Sequence, residues 1–185
     1  MTRDTKYDST NDTQQHIRRV RELLFTAYNN LVARGFDHDK SKLGPVEKPI
    51  FDAVTQKLRG LTYGSEEYKA SLAEMKPALD HHYAHNSHHP EHFQKAVCII
   101  CFAEYPSPYK GNCLCCGNGT FTQEANIAGM SLLDLIEMLC DWKAAGERHA
   151  DGSITRSLDV NKKRFGISDQ LQAILTNTAK ELGWL

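Results

Sequence analysis

The stretch "MSLLDLIEMLCDWKAAGERH", residues 130–149, is the strongest indication of the fold class. Read as a helix, it is apolar on nearly every face, which is typical of a helix buried at the centre of a helical domain. Cys140 lies among these apolar residues and is predicted to belong to the core. Asp134, Glu137 and Asp141 share one face at spacings of three and four residues. Because buried carboxylates need compensation, they predict a metal or catalytic cleft here, or else a polar stripe paired with arginines.

Helical spacing of apolar residues recurs along most of the chain and predicts an all-α fold. Alternating strand patterns are missing outside the cysteine-rich region. The predicted division is a flexible tail at 1–12, a helical domain at 13–93 and 127–185, and an inserted module at 94–126. The other predicted helices run from Ile17 to Gly35, from Pro45 to Leu58, from an N-cap at Ser65 toward His85, from Ile154 to Phe165 and from Ser168 to Leu182.

Composition excludes several broad classes of function. The 185 residues carry a formal net charge of −1, so no general field attracts the chain to nucleic acid or to anionic lipid. No apolar run approaches the roughly 20 residues that span a bilayer, and the first residues are polar. The sequence therefore predicts a cytoplasmic protein without a membrane partner.

A histidine and an aspartate stand side by side in "HDKSK", as His38 and Asp39. An imidazole beside a carboxylate offers a mixed donor pair that suits Mn, Fe, Co, Ni or Zn, and Mg through the carboxylate. His16 shares a helical face with Val20 and Leu23 on the preceding helix, so it is predicted to point toward the core. A helical hairpin would bring it to the His-Asp pair.

Six of the nine histidines lie in "HHYAHNSHHPEHF", residues 81–93. One continuous helix would align four of them, but Pro90 disfavours helix at the residue before it and removes a donor. We therefore expect a helix to end near Asn86 and Pro90 to begin the next turn. The candidates for a second metal or for phosphate binding are His81, His82, His88 and His89.

The order of these residues resembles the HD superfamily of metal-dependent phosphohydrolases, whose helical fold holds one or two divalent metals. More narrowly, "HDKSKL", "HHPEHF" and "MSLLDLIEMLCDWKAA" look like an uncharacterised HD-like family of bacteria and their phages, in which the insertion at 94–126 is lacking. The resemblance implies metal ligation by His16, His38, Asp39 and Asp141, with Asp134 as the alternative closing aspartate.

The same resemblance implies hydrolysis of a nucleotide by attack of metal-activated water on phosphorus, with deoxynucleoside mono- or triphosphates favoured. Lys42 would face the phosphate, helped by Lys143 or Arg148 if they face the cleft. Glu137, Glu91 or a histidine that is not a ligand would move protons. Small HD enzymes are often homo-oligomers, but no residue here identifies an interface.

Five of the six cysteines lie between Cys98 and Cys116. Two C-x2-C pairs separated by eleven residues are typical of zinc knuckles and ribbons, and so short a module needs the metal for its stability. Cys115 is a spare that could replace a neighbour. A nucleic-acid-reading finger is the weaker alternative, with two tyrosines but one lysine in "YPSPYKGN". The predicted structural zinc ligands are Cys98, Cys101, Cys113 and Cys116.

Two other functions stay open at this point. An HD-fold dinuclear iron oxygenase would use nearly the same ligands and requires a histidine-rich second site. A non-enzymatic protein could instead use the zinc module to bind a partner. Iron content with oxygen-dependent turnover would identify the first, and function that survives loss of the His-Asp pair would identify the second.

Overall fold

The computed structural model describes residues 7–58, 66–148 and 152–185, and the chain divides into two compact units, Met1–Asp37 and His38–Leu185. The first unit contains helix α1, Thr10–Asp37, which begins inside the predicted tail and continues two residues past Gly35. No residue of α1 is buried. Because α1 is the one helix in the described residues of this unit, the prediction that His16 faces a core stays a prediction.

The second unit is built mainly from helices. Two predicted helices are confirmed closely, including the one that Ser168 caps by accepting a hydrogen bond from the Leu171 amide. The predicted helix toward His85 is divided at Met75, because Pro77 begins a new helix; its predicted N-cap, Ser65, lies outside the described residues. The helices are α2 (Lys48–Leu58), α3 (Glu66–Glu74), α4 (Lys76–His85), α5 (Leu132–Gly146), α6 (Ile154–Phe165) and α7 (Asp169–Glu181).

A hydrophobic core joins α5, α6 and α7. From α5 it takes Leu135, Met138 and Leu139, while Leu132 on the same helix is 74% exposed. Cys140 is also exposed, so its predicted place in the core is wrong. The helix is apolar on nearly every face, but its buried residues in the described structure lie on one side, so its composition predicted more burial than is observed. The core residues from the partner helices are Ile154, Leu158, Leu175 and Ala179.

The cysteine-rich insertion forms a small antiparallel sheet with the strand order β2-β1-β3. Its strands are β1 (Lys95–Cys98), β2 (Glu104–Pro106) and β3 (Phe121–Glu124). Lys95 pairs with Pro106 on one side and with Glu124 on the other. Within the described residues, the sheet is confined to this module, so the protein is mainly α-helical.

Short turns connect these elements at the places where the site residues lie. Three 3-10 helices, Lys40–Leu43, Pro90–Phe93 and Ile127–Gly129, precede α2, β1 and α5 respectively. The predicted helix end near Asn86 and the turn begun by Pro90 are both confirmed. Every helix in the described part of the chain is too short or too polar to cross a lipid bilayer.

Truncation of a core residue tests the assigned core. We expect Leu139→Ala, which empties a site only 1% exposed, to lower the free energy of unfolding by about 2–5 kcal/mol. Leu132→Ala on the exposed side of the same helix should change it by less than about 0.5 kcal/mol. Urea denaturation of both variants measures the difference, and equal effects would contradict the assignment of the buried face.

Candidate metal centre

Asp39 occupies a backbone conformation that is rare for residues other than glycine. Its φ of 57° and ψ of 13° lie in the left-handed region, where a side chain costs about 1–2 kcal/mol. The turn is closed by the Lys42 amide, which donates to the Asp39 carbonyl at 2.9 Å. Strain of this kind persists where the surrounding structure holds a functional side chain in place.

One carboxylate oxygen of Asp39, Oδ2, faces a small group of polar atoms. His38 Nε2 lies 3.6 Å from Asp39 Oδ2 and 3.6 Å from Asp141 Oδ1 on α5. The Lys42 ammonium donates to the same oxygen at 2.6 Å. This side of Asp39 therefore has one imidazole and a second carboxylate within coordinating reach.

The other oxygen, Oδ1, faces imidazoles from α4 and from the loop that follows it. His82 Nε2 lies 3.2 Å and His88 Nε2 3.5 Å from Asp39 Oδ1. His89 joins them, with its Nε2 2.9 Å from His82 Nε2. We call the whole set the Asp39 cluster: His38, Asp39, His82, His88, His89 and Asp141.

Two further carboxylates, those of Glu137 and Glu47, contact the Nδ1 atoms of these imidazoles, on the side of each ring away from Asp39. Glu137 Oε1 lies 2.9 Å from His38 Nδ1 and 3.1 Å from His88 Nδ1. Since an ionised carboxylate only accepts hydrogen bonds, both Nδ1 atoms donate to it and both Nε2 atoms are left toward Asp39. Glu137, predicted as a proton carrier, is therefore placed as a positioning group.

Glu47 positions the imidazole of His82, which faces Asp39 Oδ1, in the same way. It is fully buried, and its Oε2 lies 3.0 Å from His82 Nδ1 while its Oε1 lies 2.7 Å from His81 Nδ1. Burial opposes its ionisation, but His81, Ser41 and His82 lower the pKa of Glu47. Glu47 thus fixes the ring of His82 with Nε2 toward Asp39.

The donor atoms of the cluster fit a divalent cation. Asp39 Oδ1 and His88 Nε2 are both buried, and neither makes a hydrogen bond with any described residue although they lie 3.5 Å apart. Leaving such atoms unsatisfied costs about 1–3 kcal/mol each, and a cation between them would remove that cost. Imidazole and carboxylate donors suit Mn, Fe, Co, Ni and Zn.

The pKa values of several cluster residues are shifted by their neighbours. The carboxylates of Asp141 and Glu137 raise the pKa of His38 to about 10. Burial opposes ionisation of Asp39, yet His82, His88 and Lys42 hold its pKa well below the usual range. Burial, with His88 and His82 nearby, lowers the pKa of His89 to about 3, so this ring is neutral and free to coordinate.

Several predicted site residues lie elsewhere. Asp134 is in the capping box of α5, where it accepts from Ser131 and, at 2.6 Å, from Ser87, so Asp141 is the aspartate placed in the cluster. Glu91 accepts from Arg164 at 2.7 Å and is not in the cluster. His81 pairs with Glu47 and stacks on His85 rather than facing Asp39. His16 lies on α1 and is exposed, so its predicted ligation stays a prediction.

Three contributors to this site were absent from the sequence-based predictions. They are Glu47, Ser41 and Asn86; the Asn86 side-chain amide donates to Ser41 Oγ at 2.8 Å and to the His82 carbonyl at 2.7 Å. Ser41 lies inside "HDKSK" and Asn86 is the predicted helix end, so both residues belong to sequence motifs that had already been connected with the site. The residues around Glu47 in the sequence did not mark it as part of a site, because its partners His81 and His82 lie more than thirty residues further along the chain.

The four predicted zinc cysteines form a second candidate metal site. Cys98, Cys101, Cys113 and Cys116 offer four sulfur atoms within 4.8 Å of one another, whereas Cys115 is exposed and outside the group. The Tyr105 hydroxyl lies 3.2 Å from Cys113 Sγ and lowers the pKa of that thiol to about 6. A four-sulfur set with a stabilised thiolate could bind a metal, as the sequence spacing predicts.

The chain is a mainly helical protein with an imidazole–carboxylate cluster typical of divalent-metal centres and a four-cysteine group in a small sheet. A family model matches residues 5–181, and the chain belongs to that family, which is described as a family of unknown function (DUF5662). No curated protein and no solved structure matches the chain.

The raised pKa of His38 gives metal binding a defined dependence on pH. Without metal the ring is protonated at neutral pH, so a cation binding at Nε2 must displace a proton. We expect release of about one proton or more, and affinity that rises about tenfold per pH unit between about pH 6 and pH 8. Calorimetry in buffers of different protonation enthalpy measures this. Buffer-independent heats and a flat affinity would contradict it.

Glu47 provides a test of the positioning carboxylates. Glu47→Gln keeps the shape but removes the charge that fixes His82, and we expect it to weaken divalent-metal binding by about 10- to 100-fold. Asp52→Asn on the exposed side of α2 is the matched control and should bind as the wild type does. Titration of both variants with a divalent metal measures the effect. Wild-type affinity in Glu47→Gln would show that Glu47 does not position His82 for metal binding.

Proposed function

We propose that the protein is a metal-dependent phosphohydrolase that acts on nucleotides, with deoxynucleoside mono- or triphosphates as the favoured substrates. The observation that carries the proposal is the position of the Asp39 carboxylate, with one oxygen toward His38 and Asp141 and the other toward His82, His88 and His89. A carboxylate shared between two sets of donors suits a pair of divalent metals. The resemblance of "HDKSK" and its surroundings to the HD superfamily supports the same reading.

The residues of the chain have separate tasks in this proposal. His38, Asp39 and Asp141 would hold one metal, and Asp39 with His82, His88 and His89 a second. Such metals lower the pKa of bound water and polarise a phosphoryl oxygen. Glu137 and Glu47 keep the imidazole Nε2 atoms aimed inward. Lys42, bonded to Asp39 and part exposed, supplies a cation at the edge of the cluster for a substrate phosphate.

The four-cysteine group belongs to the proposal as a structural zinc site. Its four sulfurs leave no open coordination position, which is typical of structural rather than catalytic zinc. The small sheet offers little apolar area to bury, so bound zinc would supply most of the stability of the module.

The three histidines on the Oδ1 side of Asp39 also suit an HD-fold dinuclear iron oxygenase. That alternative requires iron as the native metal and consumption of oxygen during turnover. A non-enzymatic binding role finds some support in the module, where Ile100, Phe102 and Leu114 are exposed apolar residues beside the cysteines. Both alternatives predict no release of phosphate from nucleotides.

The test is a screen for phosphate release from nucleoside and deoxynucleoside mono- and triphosphates. The protein is stripped of metal and supplied with Mn, Mg, Co, Zn or Fe, with oxygen uptake followed in parallel. We expect release with at least one metal, and a loss on the order of 100-fold or more in Asp39→Asn because both sets of donors lose their shared oxygen charge.

The matched control is Asp80→Asn, an exposed aspartate of α4 that pairs with Lys76. It should keep wild-type activity. If metal-loaded protein releases no phosphate from any nucleotide, the hydrolase proposal is wrong, and oxygen uptake by the iron form would then favour the oxygenase.

A further inference from the structure

The cysteine module is attached to the chain between two pieces of the Asp39 cluster. It follows the loop at 86–93, which carries His88 and His89, and it precedes α5, which carries Asp141 and Glu137. One end of the module therefore adjoins the histidine loop and the other adjoins the segment before α5. We call these ends the stems: residues 90–95 and 124–129.

The stems are fastened to each other by contacts of three kinds. Lys95 of β1 pairs with Glu124 of β3. The Asn126 amide donates to the Pro90 carbonyl at 3.1 Å. Gly129 lies so close to the Phe93 side chain that an added Cβ would be 2.7 Å from Phe93 Cβ. Outside the stems, the Ser87 hydroxyl also donates a hydrogen bond to Asp134, which links the histidine loop to the start of α5.

The four thiols lie at the far side of the same sheet. Cys98 ends β1, and its strand partner in β3 is Phe121. Cys113 and Cys116 lie in the connection between β2 and β3. A metal held by the four sulfurs would therefore hold β1 and the connection to β3 together, and the ladder carries that constraint to the stems.

We propose that metal binding by the four cysteines braces the Asp39 cluster, by fixing the separation between the histidine loop and α5. This inference rests on the metal binding proposed for that cluster. Its consequence is an energetic coupling between two metal sites that share no ligand. Loss of the thiolate-bound metal weakens the cluster because His88 and His89 are no longer held opposite Asp141.

Manganese is the probe that separates the two sites. Mn²⁺ prefers oxygen and nitrogen donors to thiolates, so a cysteine substitution removes no manganese site directly. Free Mn²⁺ has a strong paramagnetic resonance signal that is lost on binding, which allows the full-length protein to be titrated without an activity assay.

We expect Cys101→Ser, which opens the four-sulfur set, to weaken Mn²⁺ binding about tenfold or more. Cys115→Ser, at the exposed cysteine outside the set, should leave binding unchanged. Gly129→Ala keeps every cysteine and every cluster residue but forces the stems apart at Phe93, so it should weaken Mn²⁺ binding while zinc stays bound. Gly35→Ala on α1 is its control, because there the added Cβ has no atom within 4 Å.

The double variant Cys101→Ser/Gly129→Ala should be no weaker than the weaker single variant, since both act through the same stems. Wild-type Mn²⁺ affinity in Gly129→Ala, or in a folded and zinc-free Cys101→Ser protein, would overturn the brace. If Cys101→Ser does not fold, Gly129→Ala decides alone. Failure of the wild type to bind Mn²⁺ at all would overturn the brace, whereas the hydrolase proposal is overturned only if no metal supports phosphate release.

Discussion

The carboxylate of Asp39 is the group on which the rest of the site depends. It is held in a left-handed turn, which aims its two oxygens at two different sets of donors. Imidazoles and carboxylates from α4, the histidine loop and α5 converge on it, and Glu47 and Glu137 hold those imidazoles from outside. Without a cation, the convergence leaves buried polar atoms of Asp39 and His88 unsatisfied. The arrangement is understandable as a site that a divalent metal completes.

Patterns among neighbouring residues in the sequence predicted those parts of the site that depend on local secondary structure. Pro90 set the end of α4 near Asn86, and the spacing within α5 placed Asp141 beside Glu137 on one face. The adjacent His38 and Asp39 are a metal-binding pair by composition alone. The thiol spacing likewise anticipated that Cys98, Cys101, Cys113 and Cys116 would come together.

The sequence did not show which of two similar aspartates on one helix face joins the site, or which residues become buried when the helices pack together. Asp134 and Asp141 share a helix face, but only the capping box formed with Ser131 shows that Asp134 is already engaged. Glu47 lies in a proline-containing turn and looks like a surface residue in the sequence, yet it is fully buried against His81 and His82 of α4. The prediction for Cys140 failed for the opposite reason, because apolar neighbours along the chain do not guarantee that a residue is covered.

If Asp39 lies between two metal positions, diffraction from crystals grown with Mn²⁺ will show a metal at each of them. Anomalous scattering locates manganese independently of any assumption about function. We expect two anomalous peaks, one on each side of the Asp39 carboxylate, next to Asp141 and next to His89 respectively. A single peak that His82, His88 and His89 do not contact, or no peak beside Asp39, would contradict it.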